Sequence, residues 1–211
     1  MTLPKSRELV SLPLFQKLFG LLRNKPWLET RAAAVEELHA ICSNDRDLEL
    51  VVDLLEQFTF LSGNDFESRC AKIAQKITQD WKLSASDTVL VGKHFESGRG
   101  DSSGVINAMM QPALARTGEN WSRRNFEISA KKSLQNSEFK NIVLVDDFSG
   151  SGESAANFLK WAEDLIAREK LGKKNIYLAF FCAMEKTKER IPIDNRICAE
   201  NLDLMLTSIN R

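Results

Sequence analysis

A chain of 211 residues, 43% of them hydrophobic and 27% charged, is long enough for one sizeable α/β domain with a small appendage and has the balance of an ordinary globular protein. Its 29 basic and 29 acidic residues cancel, which argues against nucleic-acid binding through bulk charge, although a local basic patch stays open. No apolar run approaches the roughly 20 residues that cross a bilayer. The N-terminus, Met1-Thr2-Leu3-Pro4-Lys5-Ser6-Arg7-Glu8, lacks a signal peptide's basic start and unbroken apolar stretch, so a cytoplasmic location with no membrane partner is expected.

The first part of the chain has helical periodicity. Leu14, Phe15, Leu18, Phe19, Leu21 and Leu22 suit one apolar-faced helix, which Pro26 ends or separates from the next. A second helix is predicted over Glu29–Ile41. Asn44 or Asp45 can cap a third that carries Leu48, Val51, Val52, Leu54, Leu55 and Phe58. Ser62-Gly63-Asn64-Asp65 stops it and starts a fourth, which runs to about Trp81 with Cys70, Ile73, Ala74 and Ile77 on one face. These helices form an expected subdomain over residues 1–83, a surface through which a second copy or a partner protein could dock.

The pattern changes at Ser84-Ala85-Ser86-Asp87. Apolar runs of strand length follow at Thr88–Val91, Asn125–Ile128, Ile142–Val145 and Ile176–Ala183, with a weaker one at Leu202–Leu206. Helical stretches at Val105–Ala115, interrupted by Pro112, and at Glu153–Lys170 lie between them. Short apolar strands alternating with helices predict βαβ units and a parallel sheet over residues 84–211. Gly98–Gly104 reads as a glycine and serine loop, and the polar stretch Thr117–Ser137 as a mobile one. None of the four cysteines, Cys42, Cys70, Cys182 and Cys198, forms a C-x-x-C pair, so zinc is not expected. The first three sit in apolar-periodic segments and read as reduced core residues.

The chemistry is concentrated in Asn141-Ile142-Val143-Leu144-Val145-Asp146-Asp147-Phe148-Ser149-Gly150-Ser151-Gly152-Glu153-Ser154. A buried parallel strand ends in two carboxylates at the edge where open α/β sheets place their ligands. Small residues from Gly150 to Ser154 then let the backbone approach an anion closely. The free N–H groups and dipole of the following helix favour a phosphate there. The carboxylates repel a phosphate and so must face donors such as sugar hydroxyls. A phosphate beside a hydroxylated ring is a ribose 5-phosphate. No G-x-x-x-x-G-K-[ST] occurs in the chain, and Ser149 in place of glycine two residues before Ser151 excludes a nucleophile elbow. The plain alternative is a strand-to-helix surface turn with Asp146 and Asp147 as solvated caps.

This segment resembles the phosphoribosyl-diphosphate (PRPP) signature of type I phosphoribosyltransferases, which has four apolar residues, two acids, two mostly apolar residues and a small-residue phosphate loop. The resemblance implies a Rossmann-like parallel-sheet fold and phosphoribosyl transfer to or from a nitrogen base, with PRPP or a nucleotide as the small-molecule substrate and Mg2+ as the cofactor. It assigns Asp146 and Asp147 to the ribose hydroxyls and Gly150, Ser151, Gly152, Glu153 and Ser154 to the 5-phosphate. Ser149 and Glu153 depart from the pattern, which usually has an apolar residue and often a glycine there.

In that family the loop after the first strand touches the pyrophosphate, and here it offers Lys93, Arg99, Ser102, Ser103 and Gly104, with Gly92 to permit unusual backbone. A solvated glycine loop is the alternative. Arg116, Arg123, Arg124, Lys131 and Lys132 lie where the family carries a flexible catalytic loop. His94 is a candidate general acid or base, and His39 a structural residue. Trp27, Trp81 and Trp161 read as packing residues, with Trp121 more open to function. The chain also resembles, loosely, phosphoribosyltransferase-like proteins of bacterial defence loci, including retron cassettes, which implies an antiphage effector. The competing expectations are a catalytically inactive PRPP or nucleotide sensor and a protein-interaction module.

Overall fold

The computed structural model describes residues 11–42, 44–58, 60–92, 102–191 and 197–199. The chain divides into two compact units, Met1–Leu61 and Ser62–Arg211.

In the first unit, α1 spans Leu12–Asn24 and stops before Pro26, which opens a 3-10 turn, Pro26–Arg31. The turn occupies the start of the helix expected from Glu29, so α2 is confined to Ala32–Ile41. In α3, Asp45–Gln57, the Asn44 side chain accepts the Asp47 N–H at 3.0 Å and satisfies a first-turn donor. Leu14, Leu21, Leu28, Leu48 and Val52 make the core of this unit, with Trp27 stacked on Phe60 at 5.0 Å.

The second unit opens with α4, Gly63–Gln75, started by a capping box between Ser62 and Asp65 and continued by a π-helical turn, Lys76–Asp80. Five strands follow: β1 Thr88–Val91, β2 Phe126–Glu127, β3 Asn141–Ser149, β4 Asn175–Ala183 and β5 Ile197–Ala199. All pair in parallel, in the order β2-β1-β3-β4-β5. The helices are α5 Ser102–Ala115, α6 Ala130–Gln135, α7 Glu153–Glu169 and α8 Glu185–Arg190. This is the expected parallel-sheet α/β fold, with β5 added. The expected strand Leu202–Leu206 lies outside the described residues.

The sheet is buried on both faces, which explains its unbroken apolar runs. On one face Leu90, Val143, Val145, Ala179 and Phe181 pack with Cys70 and Ile73 of α4, Ile77 of the π-helical turn, and Ile106, Met110 and Leu114 of α5. On the other, Val89, Val91, Ile142, Leu144, Leu178 and Phe180 pack with Ala130 and Leu134 of α6 and with Ala155, Phe158, Ala162 and Leu165 of α7. The contact boundary at Leu61/Ser62 thus assigns α4 to the sheet unit, since its apolar face completes a sheet core. Arg69 of α4 is buried and donates from Nη1 to the Phe181 carbonyl, and Phe66 stacks on Phe181 at 4.5 Å.

Two expectations are corrected. Thr117–Ser137 is not one mobile loop but holds a 3-10 turn, β2 and α6. Trp121 is buried in the core, and the fully buried Asn125 side chain donates to the carbonyls of Ala85 at 2.7 Å and Thr88 at 2.8 Å. Ser102, Ser103 and Gly104 form the first turn of α5 and not a loop, while the rest of the expected glycine and serine loop lies outside the described residues. Pro112 lies inside α5 without ending it. Cys42, Cys70 and Cys182 are free thiols. Among the described residues no helix is long and apolar enough to cross a membrane.

Candidate functional site

The strand order reverses between β1 and β3, and open α/β sheets bind ligands outside the carboxyl ends of their strands at such a switch point. The described register of β1 against β3 ends at Val91 and Leu144. β3 continues, paired on its other edge with β4 through Asp146–Phe180, Phe148–Cys182 and Ser149–Ala183. It therefore projects both carboxylates and the start of the loop past its neighbour. The strand runs through the acid pair to Ser149 instead of ending at Val145, because backbone pairing with β4 is indifferent to the polar side chains.

Asp146 and Asp147 fall on opposite faces, as successive strand residues must. Asp146 is only 5% exposed and follows Leu144 on the α7 face; its Oδ1 accepts the Asp147 N–H at 3.0 Å. Asp147 is half-buried and follows Val143 and Val145 on the α5 face. A cleft of about 300 Å3 opens at this end of β3, lined by Asp146, Phe148, Ser149, all five residues from Gly150 to Ser154, and Phe180 beneath. Asp147 does not line it.

The loop enters α7 through a glycine. Gly152 is the N-cap residue, with φ +74°, a left-handed conformation that favours glycine. A Cβ there would also lie 3.0 Å from the Thr187 Cα and 3.2 Å from its carbonyl oxygen, a backbone clash. The Glu153 N–H donates to Ser151 Oγ at 3.4 Å, and the Ala156 N–H to the Gly152 carbonyl at 2.9 Å. The two departures from the family pattern have partners on α8. Ser149 is buried, with its Oγ 3.0 Å from Thr187 Oγ1. Glu153, the first residue of α7, pairs with Arg190 at 3.6 Å between half-exposed side chains, so its charge is compensated in place and complements the helix dipole.

No sequence signal marked Thr187 or Arg190 as part of this region. The segment Glu185-Lys186-Thr187-Lys188-Glu189-Arg190 is polar, short and about 35 residues from the motif. Of the pyrophosphate candidates, Lys93 and Arg99 lie outside the described residues, as does His94. Gly104 and the backbone of Ser102 and Ser103 form the start of α5, which packs on the sheet face away from α7. Arg116, just after α5, and Arg123 and Arg124 of the 3-10 turn are exposed.

A parallel sheet with this strand order, an acid pair at the end of its central strand and a small-residue loop entering a helix define a protein of the phosphoribosyltransferase type. The chain belongs to the PRTase-CE family, whose model matches residues 42–207. Solved structures with a similar chain path include hypoxanthine-guanine phosphoribosyltransferase of Leishmania tarentolae in complex with GMP, at 17% identity, covering 68% of this chain and 82% of that one with a TM-score of 0.40. Hypoxanthine phosphoribosyltransferase of Trypanosoma cruzi in complex with IMP matches at 11% identity, over 66% and 74% of the two chains, with a TM-score of 0.41. The hypoxanthine-guanine enzyme of Schistosoma mansoni in complex with IMP matches at 14%, over 67% of each chain, with a TM-score of 0.40. The family assignment rests on the sequence match, not on these likenesses. No curated protein matches the chain.

Proposed function

We propose that the cleft at the end of β3 binds the 5-phosphoribosyl group of PRPP or of a nucleotide, and that the protein transfers or removes that group at a nitrogen base. The observation that carries this reading is the joint lining of one cleft by Asp146 and by every residue from Gly150 to Ser154. Loop N–H groups, the Ser151 and Ser154 hydroxyls and the α7 dipole receive the phosphate. The Asp146 carboxylate accepts hydrogen bonds from the ribose hydroxyls. Asp147, one residue on, contributes its charge from the other face.

In the reaction the bond from C1 of the ribose to pyrophosphate breaks as a nitrogen nucleophile adds. Positive charge develops on the ring, and the two carboxylates stabilise it. A phosphate held by the loop supplies binding energy that positions C1. Lys93, Arg99 and the Ser102–Gly104 turn are the proposed pyrophosphate contacts. Among the described residues no group of three or more His, Cys, Asp and Glu could hold a metal alone. A single cleft carboxylate, Asp146, beside the phosphate loop fits Mg2+ arriving with the ligand, since this ion is held by one or two carboxylates plus substrate phosphates. Asp146, the carboxylate that lines the cleft, would be its protein ligand, and bound Mg2+ would neutralise the pyrophosphate.

The test is pyrophosphate release from PRPP with Mg2+ across a panel of purine and pyrimidine bases, and the reverse reaction from nucleotides. Turnover that disappears in Asp146→Asn supports transfer. Tight PRPP binding without turnover for any base would leave a nucleotide sensor. The biological reading that goes with the chemistry is an antiphage effector in the cytoplasm; phage plating on cells with wild-type or Asp146→Asn protein tests it, with equal plating counting against it.

A protein-interaction role has one observation in its favour. The first unit exposes Leu12, Phe15 and Phe19 on α1 and Leu50 and Leu54 on α3, apolar side chains that a partner or second copy could cover. Full biological activity of an Asp146→Asn/Asp147→Asn variant would favour that role over chemistry.

A further inference from the structure

Helix α8 is fastened to the loop entering α7 at several points. Thr187, 2% exposed, places Oγ1 3.0 Å from each of three atoms: the Ser149 carbonyl oxygen, the Gly150 carbonyl oxygen and Ser149 Oγ. Its single proton is shared by the two carbonyls, and the Ser149 hydroxyl can donate back. The Met184 N–H, just before α8, also donates to the Ser149 carbonyl at 2.8 Å. Arg190 pairs with Glu153.

These bonds fix which way the loop's peptide groups face. In a trans peptide the carbonyl of one residue and the N–H of the next point in opposite directions. A Ser149 carbonyl held on Thr187 turns the Gly150 N–H away from α8, and a Gly150 carbonyl held there does the same for the Ser151 N–H. Gly150 and Ser151 line the cleft. If either peptide rotated, a carbonyl oxygen would face the anion in place of a donor, and like partial charges would oppose binding. Glycine at 150 and 152 makes such rotation easy, so the loop needs an external hold.

We propose that Thr187 is a positioning residue for the anion loop, its hydroxyl holding the Ser149 and Gly150 carbonyls so that the Gly150 and Ser151 N–H groups face a bound phosphate. This rests on the reading of Gly150–Ser154 as the phosphate site. It adds a part of that site that lies outside the motif, on a helix whose own sequence is unremarkable.

The experiment uses the full chain and ribose 5-phosphate as the probe, titrated calorimetrically into wild type, Thr187→Val and Thr187→Ser, with circular dichroism to establish folding. Valine keeps the shape and removes the hydroxyl; serine keeps the hydroxyl. The expected result is binding about tenfold weaker in Thr187→Val, the loss that follows when one hydrogen bond to a charged group is misaligned, and near wild-type binding in Thr187→Ser. A folded Thr187→Val with wild-type affinity overturns the role of Thr187 and leaves the phosphate reading standing. A wild type that does not bind ribose 5-phosphate overturns both. Should Thr187→Val not fold, amide NMR of the wild type decides: ribose 5-phosphate should shift the Gly150 and Ser151 N–H resonances, and binding that leaves both unmoved overturns the proposal.

Discussion

Gly152 is where the loop tolerates an added atom least. Its positive φ strains any side chain, and a Cβ would meet the backbone of Thr187, which cannot turn aside. Gly152→Ala should lower stability by about 1–3 kcal/mol, read from the denaturant midpoint, and abolish ribose 5-phosphate binding. Gly150→Ala is the control. Its nearest neighbour would be Phe148 Cε1 at 3.3 Å, on a ring exposed enough to rotate, so the loss should be smaller on both counts. The loop and its acids are legible in the sequence because small residues, carboxylates and a helix start are contiguous there. What makes Ser149 and Glu153 fit is not legible, since their partners Thr187 and Arg190 come from a short polar helix that only the fold brings near.

Helix α4 shows what a cap does for an element. The Asp65 carboxylate accepts from Ser62 Oγ at 2.6 Å and from the Ser62 N–H at 2.9 Å, and these bonds, the side-chain one first, hold its pKa below the ordinary 3.8. A group depressed in the folded state stabilises above its unfolded pKa and stops doing so as pH falls through its lower folded value. The melting temperature of wild type should therefore exceed that of Asp65→Asn at pH 6, and the gap should close as pH falls below about 4. Further along α4, burial pushes the Cys70 thiol up to about 11, with Glu67 adding to the effect. Iodoacetamide at pH 8 should leave Cys70 unmodified in the native protein, by peptide mass, and label it on unfolding.

Strands β1, β3 and β4 announce themselves as apolar runs because both faces of the sheet are covered. The middle of the second unit does not. Between Thr117 and Ser137 the buried residues Trp121, Asn125, Ser129, Ala130, Ser133 and Leu134 include several polar ones, so no apolar period shows, and Asn125 is buried because its amide ties β1 to the turn before β2. Polarity there records hydrogen bonding to backbone, not exposure.

For the whole molecule, the division at Leu61/Ser62 matters more than the change of periodicity near residue 84. Helical periodicity continues through α4, so the sequence groups it with the helices before it; packing groups it with the sheet. A chain of residues 62–211 should fold with a cooperative thermal transition, since it keeps its own core. A chain of residues 84–211 loses Cys70, Ile73, Ala74 and Ile77 from that core. Removing buried isoleucine side chains costs about 2–5 kcal/mol each, against a total stability of roughly 5–15 kcal/mol, so the shorter chain should show no such transition by circular dichroism. A folded 84–211 chain would mean that α4 is dispensable packing.

The central claim, that the end of β3 and the loop after it hold a phosphoribosyl group, is tested most directly by calorimetric titration of PRPP with Mg2+ into wild type and a folded Asp146→Asn/Asp147→Asn variant. The wild type should show saturable binding, and the variant should lose it. No binding by the wild type, or equal binding by both proteins, would contradict it.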